Sequence, residues 1–140
     1  MKKILLLLFI YIAANGNAQQ KSLNSLLNEL KMHPREDTDR LQILLDVAQS
    51  YSRVDGNKGL PIANQTILMA KKLPALKLAA KGYNYAAQNC QTLGNGNLAI
   101  GFCLLSLKIK EKLKDSTGIG VSYYTMAVSY FERSMLEISF

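Results

Sequence analysis

The residues of this chain that could do chemistry are few and far apart. Its only histidine, His33, stands beside Pro34 and has no partners at a spacing useful for catalysis or metal binding. The carboxylates Asp46, Glu111 and Glu132 fall on separate predicted helices or at helix ends. Because no nucleophile, base and orienting group come together, the sequence predicts no catalytic residue, no cofactor and no metal site in this segment.

Two short glycine motifs look like fragments of a dinucleotide-binding loop. They are Gly94-Asn95-Gly96 and Gly118-Ile119-Gly120. Both follow predicted helices rather than strands, and both lack the third glycine of the fingerprint. We therefore interpret them as turns.

The two cysteines come closest to forming a special site. Cys90 and Cys103 are predicted on facing helices of one hairpin, and in an exported chain disulfides can persist. Packed helix axes lie about 8 to 10 Å apart, whereas a disulfide needs Cα atoms about 4.4 to 6.8 Å apart. A disulfide therefore stays an alternative to two free thiols that pack as small apolar residues.

The chain is basic, with a formal net charge of +7. Positive charge at helix ends complements the helix dipole, and lysine stems cover apolar surface. Predicted helix ends carry Lys71, Lys72, Lys108, Lys110, Lys112 and Lys114. Because a nucleic-acid interface would also need arginines and aromatic residues on one face, we interpret these lysines as solvated helix ends and expect no nucleic-acid partner.

Residues 83–113 contain the clearest structural pattern. Apolar or small residues recur at helical spacing on both sides of a turn at residues 94–97, which predicts two amphipathic helices folded back on each other. The first helix presents Tyr83, Ala86, Ala87 and Cys90, and the second presents Ala99, Cys103, Ser106, Leu107 and Lys110. The small side chains let the two backbones approach closely.

This hairpin has copies on both sides. Its first-helix residues correspond to Leu44, Val47, Ala48 and Tyr51 earlier in the chain, and to Tyr123, Met126, Ala127 and Tyr130 later. In the second helix, Gly59, Ala63, Thr66, Met69 and Leu73 return as Ala99, Cys103, Ser106, Ile109 and Leu113. From the first copy to the second, the offset is one residue shorter in the first helix than in the second, and one missing turn residue before Gly59 accounts for the difference. A nearly fixed period with helix-turn-helix content is typical of an α-solenoid.

The pattern resembles that of the tetratricopeptide repeats. That family has an aromatic, a large residue, a small residue and Tyr in its first helix, and small residues at three positions of its second. The matching residues here are Leu44, Val47, Ala48, Tyr51, Gly59, Ala63 and Thr66; then Tyr83, Ala86, Ala87, Cys90, Ala99, Cys103 and Ser106; then Tyr123, Met126, Ala127 and Tyr130. Cys90 departs from the usual Tyr, Ser134 stands where glycine is common, and the period is about 40 rather than 34. Armadillo or HEAT repeats fit the period better and the small residues worse.

The resemblance implies an all-α fold, a TPR-like α-solenoid of antiparallel helix-turn-helix repeats over about residues 41–79, 80–119 and 120–140. First helices would then line the concave face. The exposed positions there would be Gln42, Leu45, Gln49, Arg53, Asn84, Gln88, Gln91, Tyr124 and Val128. Amide side chains both donate and accept hydrogen bonds, which suits the backbone of an extended protein or peptide partner. The alternative is that these residues are ordinary polar surface.

Residues 1–18 have the pattern of a signal peptide. Two lysines precede an apolar run from Ile4 to Ala14, and Gly16 and Ala18 occupy the positions that a signal peptidase inspects. The run is short for a membrane span, and an uncleaved anchor is the alternative. We expect the mature chain to begin near Gln19 and to be exported to the periplasm.

Residues 19–36 are predicted to form a leading helix and a connector. The helix ends before Pro34, and its apolar face carries Leu23, Leu26, Leu27 and Leu30. Asp37, Thr38 or Asp39 can cap the helix that follows. Such a leading helix would cover one end of the solenoid.

The third repeat is incomplete in this sequence. Its first helix is predicted over about Val121 to Arg133, and its second has barely begun at Phe140. Since repeat arrays need a polar terminal cap, we expect these 140 residues to be the amino-terminal part of a longer protein or a truncated reading frame.

The opening of the repeat region is similar to that of periplasmic sensor regions in the Bacteroidota, which precede a membrane span and a histidine kinase or DNA-binding module. The residues concerned are Asp37-Thr38-Asp39-Arg40-Leu41, leading into Leu44-Leu45-Asp46-Val47-Ala48. This resemblance implies a non-catalytic input domain for signal transduction, which meets the membrane only through the signal segment or a downstream span. A free periplasmic scaffold or adaptor without a kinase is the alternative.

Overall fold

A computed structural model describes residues 21–139, and within them all regular structure is helical. The prediction of an all-α fold without a sheet is therefore confirmed for this part of the chain. The six helices are α1 Leu23–Met32, α2 Thr38–Tyr51, α3 Gly56–Lys72, α4 Leu76–Thr92, α5 Gly96–Lys112 and α6 Ser116–Ile138.

The region before the repeats is described only from Lys21 onward. The predicted signal peptide, residues 1–18, lies outside the described residues. None of the helices in the described range is both long and apolar enough to cross a membrane. In α1 Leu26 is buried against Ile43 and Val47 of α2, so the leading helix packs through the face that its leucines predict.

Short polar side chains fix where most helices begin. Asp37, Asp55, Asn95 and Asp115 each accept a hydrogen bond from the backbone N–H three residues later, at the starts of α2, α3, α5 and α6. Each such cap satisfies one of the donors that a helix start leaves without a partner. The start of α4 has no side-chain cap.

From α3 onward the helices begin at a constant interval, at Gly56, Leu76, Gly96 and Ser116. Helices α3, α4 and α5 are equal in length, and three-residue connections follow them. The middle residues of the second and third of these connections, Gly94 (70°) and Lys114 (53°), have a positive φ. One repeat therefore consists of two such helices with their connections, which makes it longer than the 34 residues of a tetratricopeptide repeat.

The connection between α2 and α3 differs from the later ones. Asp55 N–H donates to Tyr51 O, four residues back, whereas Asn95 N–H donates to Cys90 O, five residues back. The residue gained in the second case is the left-handed Gly94, which glycine adopts without steric cost. This is the turn residue whose absence before Gly59 makes the first offset one residue shorter.

The helices form two rows. Helices α2, α4 and α6 contact one another in order, and we call them the first row. Helices α3 and α5, the second row, each pack between consecutive first-row helices. Every helix thus packs against its neighbours in the chain, and α4 lies at the centre of the arrangement.

Small residues fill the interfaces between the rows. Ala87 and Cys90 of α4 pack against Ala99 and Cys103 of α5 in one cluster, and Ala48, Ala63 and Ala86 lie in the next. The predicted packing residues that are buried are Leu44, Ala48, Tyr83, Ala87, Cys90, Ala99, Cys103 and Ser106, while Tyr51 is half-buried. Helices whose contact residues are this small can pack closely.

Helix α6 departs from the prediction. It continues without a break to Ile138, through the turn expected after Arg133. Where Gly94 turns the preceding hairpin, α6 has Ser134, whose hydroxyl donates back to Phe131 O, and Arg133 pairs with Glu137 one turn later. The Arg133–Glu137 pair favours continuing the helix, and no later helix packs against α6 in the described residues.

The packing face of α6 also differs from the one predicted. Tyr123, Ala127 and Tyr130 are exposed, because in the described chain no helix covers that side. The buried residues of α6 are Ser122, Thr125, Met126 and Ser129. Ser122 bonds to Ser106 of α5, and Gln91 of α4 donates to Ser129, so this other face joins α6 to the preceding helices.

Candidate functional site

A groove of about 550 Å³ crosses all three helices of the first row. Gln49 lines it from α2, and Thr117, Gly118 and Val121 line it from α6. Most of the lining comes from α4, through Lys77, Lys81, Asn84, Tyr85 and Gln88. Lys110 of α5 and Asp115, the cap of α6, complete it. We call this cavity the first-row groove; its size is within the range of about 300 to 1,000 Å³ that ligand sites have.

The helical period explains why one face of α4 contributes so many side chains. Positions 77, 81, 84, 85 and 88 lie on the same side of a helix, because three- and four-residue steps return to one face. The opposite face of α4, with Ala86, Ala87 and Cys90, is buried in the core. Packing of that apolar face therefore aims the lysines and amides into the groove.

The predicted partner-binding residues divide into two groups. Gln49, Asn84 and Gln88 meet in the first-row groove. Three others lie elsewhere: Arg53 is exposed after α2, Tyr124 is exposed on α6, and Gln91 donates to Thr125 O and Ser129 Oγ at 2.9 Å each. The amide of Gln91 thus joins α4 to α6 instead of facing a partner.

The further positions predicted on this face also differ. Leu45 is fully buried, since α2 packs against α1, α3 and α4 at once and leaves few positions exposed. Gln42 is exposed and donates to Asp46, while Val128 is half-buried. None of the three lines the first-row groove.

Lys110 corrects the interpretation of the lysines as solvated helix ends. Its side chain is 4% exposed, and its Nζ donates to Ser122 Oγ at 3.0 Å. Ser122 in turn donates to Ser106 Oγ, and Ser106 to Ala80 O, so a polar chain runs from the groove to α4. Burial lowers the pKa of Lys110, and the nearby charge of Lys81 lowers it further, whereas Asp115 opposes the shift.

Asn84 has an incomplete set of hydrogen bonds. It is 4% exposed, and its side-chain oxygen is buried without a partner. The side-chain oxygen of Asn89, five residues later, is also buried without a hydrogen-bond partner. The amide nitrogen of Asn89, however, donates to Ala48 O and Tyr85 O. Buried polar atoms without partners are rare in folded proteins, and each one calls for an explanation.

His33 does have carboxylate partners in space, which its sequence neighbours did not indicate. His33, Asp37 and Asp39 place potential ligand atoms within 4.8 Å of one another. However, both oxygens of Asp37 are already in use: Oδ1 lies 2.8 Å from His33 Nε2 and accepts from Arg40 N–H, and Oδ2 accepts from Arg35 Nε. The arrangement is accounted for as the cap of α2.

Cys90 and Cys103 are free thiols, and both are fully buried in the interface of α4 and α5. Burial raises the pKa of each thiol to about 11. A thiol with so high a pKa is a poor nucleophile at neutral pH. The structure therefore places them as small packing residues, the alternative to a disulfide.

A second cleft, of about 790 Å³, lies where the end of α6 passes the connection between α4 and α5. Leu93, Phe131, Met135 and Leu136 make one part of it apolar. It contains Gln91 but none of the lysines of the first-row groove. It exists because α6 does not turn where α4 does.

Comparisons with protein-family models, with curated proteins and with solved structures found no match to this chain. Over residues 21–139 the chain is all-helical, with helices that pack in sequence and a polar groove across one row.

Sequence reasoning missed Lys77, Lys81, Lys110 and Asp115 as groove residues. One signal was present: Lys110 falls on the helical spacing of Ala99, Cys103 and Ser106, the buried face of α5. A lysine at such a position is either buried or placed at the end of an interface. The meeting of Lys110 with two lysines of α4 depends on how α4 and α5 cross, which spacing within one helix does not contain.

Proposed function

We propose that this chain is a non-catalytic binding domain, a TPR-like α-solenoid whose first row forms the concave face. Contacts that recur at the repeat spacing support the solenoid. A Cβ added to Gly56 would lie 2.6 Å from Asn89 O, and one added to Gly96 would lie 3.1 Å from Ser129 O. Gly96 and Ser129 occupy the positions of Gly56 and Asn89 in the next repeat, so the same close approach of helix start to helix occurs in successive repeats.

The observation that carries the binding role is the first-row groove, which crosses α2, α4 and α6 and is lined by amides. Gln49 and Gln88 can each donate and accept a hydrogen bond, which matches the alternating N–H and C=O groups of an extended chain. Such a surface binds peptide backbone without needing one particular sequence. Because amide side chains make up much of this lining, the proposal is for binding.

Peptide binding is tested by selecting ligands from a displayed random-peptide library on the purified protein. We expect Gln88→Ala to weaken binding of the selected peptides by about five- to thirtyfold, because one or two neutral hydrogen bonds of roughly 1 kcal/mol each are lost. The matched control is Gln65→Ala, an exposed glutamine on α3 outside the groove. Equal affinities of the two variants, or peptides that protect α3 and α5 from hydrogen exchange instead of α2, α4 and α6, would refute the groove as the binding face.

In the cell we propose that the chain serves as the periplasmic input region of a signal-transduction protein. The support is the export pattern of residues 1–18 and the resemblance of residues 37–48 to sensor regions. Mass spectrometry of the expressed protein should give an amino terminus near Gln19 in the periplasmic fraction. A cytoplasmic product that retains Met1 would contradict export, and a gene without a downstream membrane span and kinase would favour the free scaffold instead.

A further inference from the structure

The first-row groove brings together positive charges that have no counter-charge in contact. Lys77, Lys81 and Lys110 line it, and within the described residues none of them forms an ion pair. The one carboxylate in the lining is Asp115, whose Oδ1 accepts from Gly118 N–H at the start of α6. Three lysines against one aspartate leave the groove with excess positive charge.

Burying an ammonium group among other positive charges costs free energy unless a negative charge or hydrogen bonds compensate for it. Lys110 is almost fully buried, so its ammonium group has lost most of its water, and the attraction of Asp115 offsets this loss only in part. Unlike the lysines at free helix ends, this group cannot turn into solvent without leaving its bond to Ser122. An anion in the groove would compensate for the lost hydration.

Asn84 supplies an independent observation at the same place. It is more than nine-tenths buried, it lines the groove, and its side-chain oxygen has no hydrogen-bond partner. That oxygen is an acceptor and is buried away from a ligand, but no hydrogen bond of the amide nitrogen occurs in the described residues either, so the nitrogen can donate to a ligand in the groove. Excess positive charge and an amide donor without a protein partner thus meet in one cavity.

We propose that the first-row groove binds a phosphate group, carried by a small molecule or by a lipid headgroup. Lys77, Lys81 and Lys110 would balance its charge, and the Asn84 amide nitrogen and the Tyr85 and Thr117 hydroxyls can donate to its oxygens. Lysine binds phosphate as a compact point charge, and three lysines line this groove.

The size of the groove fits a phosphate with a group attached. At about 550 Å³ it exceeds what a free phosphate ion fills, and Val121 and the ring of Tyr85 offer apolar contact for the remainder of the molecule. The proposal goes beyond peptide binding along the first row and does not depend on it. The protein could fail to bind phosphate while Gln88 still contributes to peptide binding. It could equally bind phosphate while Gln88→Ala leaves peptide affinity unchanged.

The test is a titration of the isotope-labelled protein with inorganic phosphate at constant ionic strength, followed by NMR. Backbone and side-chain signals of Asn84 and its neighbours in the groove should shift. Lys81→Gln should weaken binding by about tenfold, since a charge-assisted hydrogen bond is lost. Lys108→Gln removes the same charge from an exposed site on α5 outside the groove and should change the affinity less than twofold. Both lysines are exposed, so neither change should disturb the fold, which the spectra check directly.

Three results would overturn the proposal. The first is the absence of groove shifts at millimolar phosphate, and the second is an equal effect of the two lysine variants, which would indicate only general attraction to a basic surface. The third is acetate binding as tightly as phosphate. Glycerol phosphate and vesicles that contain phosphatidic acid then distinguish the carriers. Binding of glycerol phosphate in the groove supports a small molecule, and binding of the vesicles through the groove supports a lipid headgroup. In either case Lys81→Gln must weaken the binding.

Discussion

Asp37 fixes the start of α2 through contacts with three residues. Its carboxylate accepts from the backbone N–H of Arg40 and lies within hydrogen-bonding distance of His33 Nε2 and Arg35 Nε. These contacts, the backbone N–H of Arg40 first and the His33 side chain next, hold the pKa of Asp37 well below its usual range. The charged form of one side chain thus joins the connector after α1 to the next helix.

This carboxylate predicts a pH dependence of stability. Because its pKa is lower in the folded state than in the unfolded chain, its contribution is complete above about pH 4 and is lost as the pH falls further. Asn caps helices nearly as well as Asp but carries no charge, so Asp37→Asn isolates the charge. The difference in unfolding free energy between wild type and variant should shrink between pH 5 and pH 2. A difference that does not change with pH would show that the charge of Asp37 does not stabilise the fold.

The two buried cysteines predict how the protein reacts with thiol reagents. With a pKa of about 11, only about one thiol in a thousand is ionised at pH 8, and both sulfurs are buried. A thiol-specific reagent should therefore label almost nothing in the native protein and two thiols per chain after unfolding. If the unfolded, unreduced protein has no reactive thiol, a disulfide joins Cys90 and Cys103 and the free-thiol assignment is wrong.

The environment of a residue could be predicted where its own helix decides it, and could not where packing against another helix decides it. The amides of α2 and α4 that line the groove could be placed from the helical period and the resemblance together, which put Gln49, Asn84 and Gln88 on one face, although Asn84 is buried there and not exposed. The burial of Lys110 was not predicted, since it depends on Ser122 of another helix as a hydrogen-bond acceptor. Composition favoured a solvated lysine at a helix end, and tertiary packing placed this one inside.

Two helical glycines differ in how closely another helix approaches them. A Cβ on Gly59 of α3 would overlap the side-chain oxygen of Asn89 and come within 2.8 Å of Tyr51 Cβ, whereas around Gly101 of α5 nothing lies within 4 Å. Both glycines are inside helices. The same substitution should therefore have opposite effects at the two sites.

We expect Gly59→Ala to destabilise the protein by about 1 to 3 kcal/mol through overpacking. Gly101→Ala should stabilise it by about 0.5 to 1 kcal/mol, because alanine loses less backbone entropy in a helix. Denaturant unfolding of both variants measures the pair. If Gly59→Ala were as stable as Gly101→Ala, α3 and α4 would not approach as closely as described.

The small residues between α4 and α5 predict a related effect. Ala87 and Ala99 are completely buried in one cluster, so Ala87→Leu or Ala99→Leu should cost about 1 to 3 kcal/mol. Ala127→Leu makes the same change on the exposed side of α6 and should alter stability by less than about 0.5 kcal/mol. Thermal unfolding followed by circular dichroism checks all three. Unchanged melting temperatures for both buried variants would mean that the helix register is wrong.

The helices themselves were largely predictable, and the exceptions have one cause. Periodicity and capping residues predicted α1 to α5, because apolar or small residues recur at helical spacing in each and, except in α4, a side chain caps the start. The end of α6 was not predicted, since a turn there would need a following helix to pack against it as α5 packs against α4. Tyr123, Ala127 and Tyr130 keep the sequence of a packing face without being covered in the described chain.

At the scale of the whole molecule, stability should depend on how many neighbours a helix has. Helix α4 contacts α2, α3, α5 and α6, whereas α1 contacts only α2, and α6 contacts only α4 and α5 within the described range. In a linear array of this kind, each unit is stabilised mainly through its interfaces with the next. The outer helices should therefore open locally while the central ones stay folded.

Native-state hydrogen exchange of the monomer measures the opening of each helix separately. We expect amides of α4 to exchange slowest, those of α3 and α5 to follow, and those of α1 and of α6 from Val121 onward to exchange first. In variants such as Ala87→Leu, the exchange rates of the central helices should approach those of the outer ones. Equal protection of α1, α4 and α6 in a monomer would instead show that these helices unfold as one unit, and not as a stack in which each helix is stabilised by its neighbours.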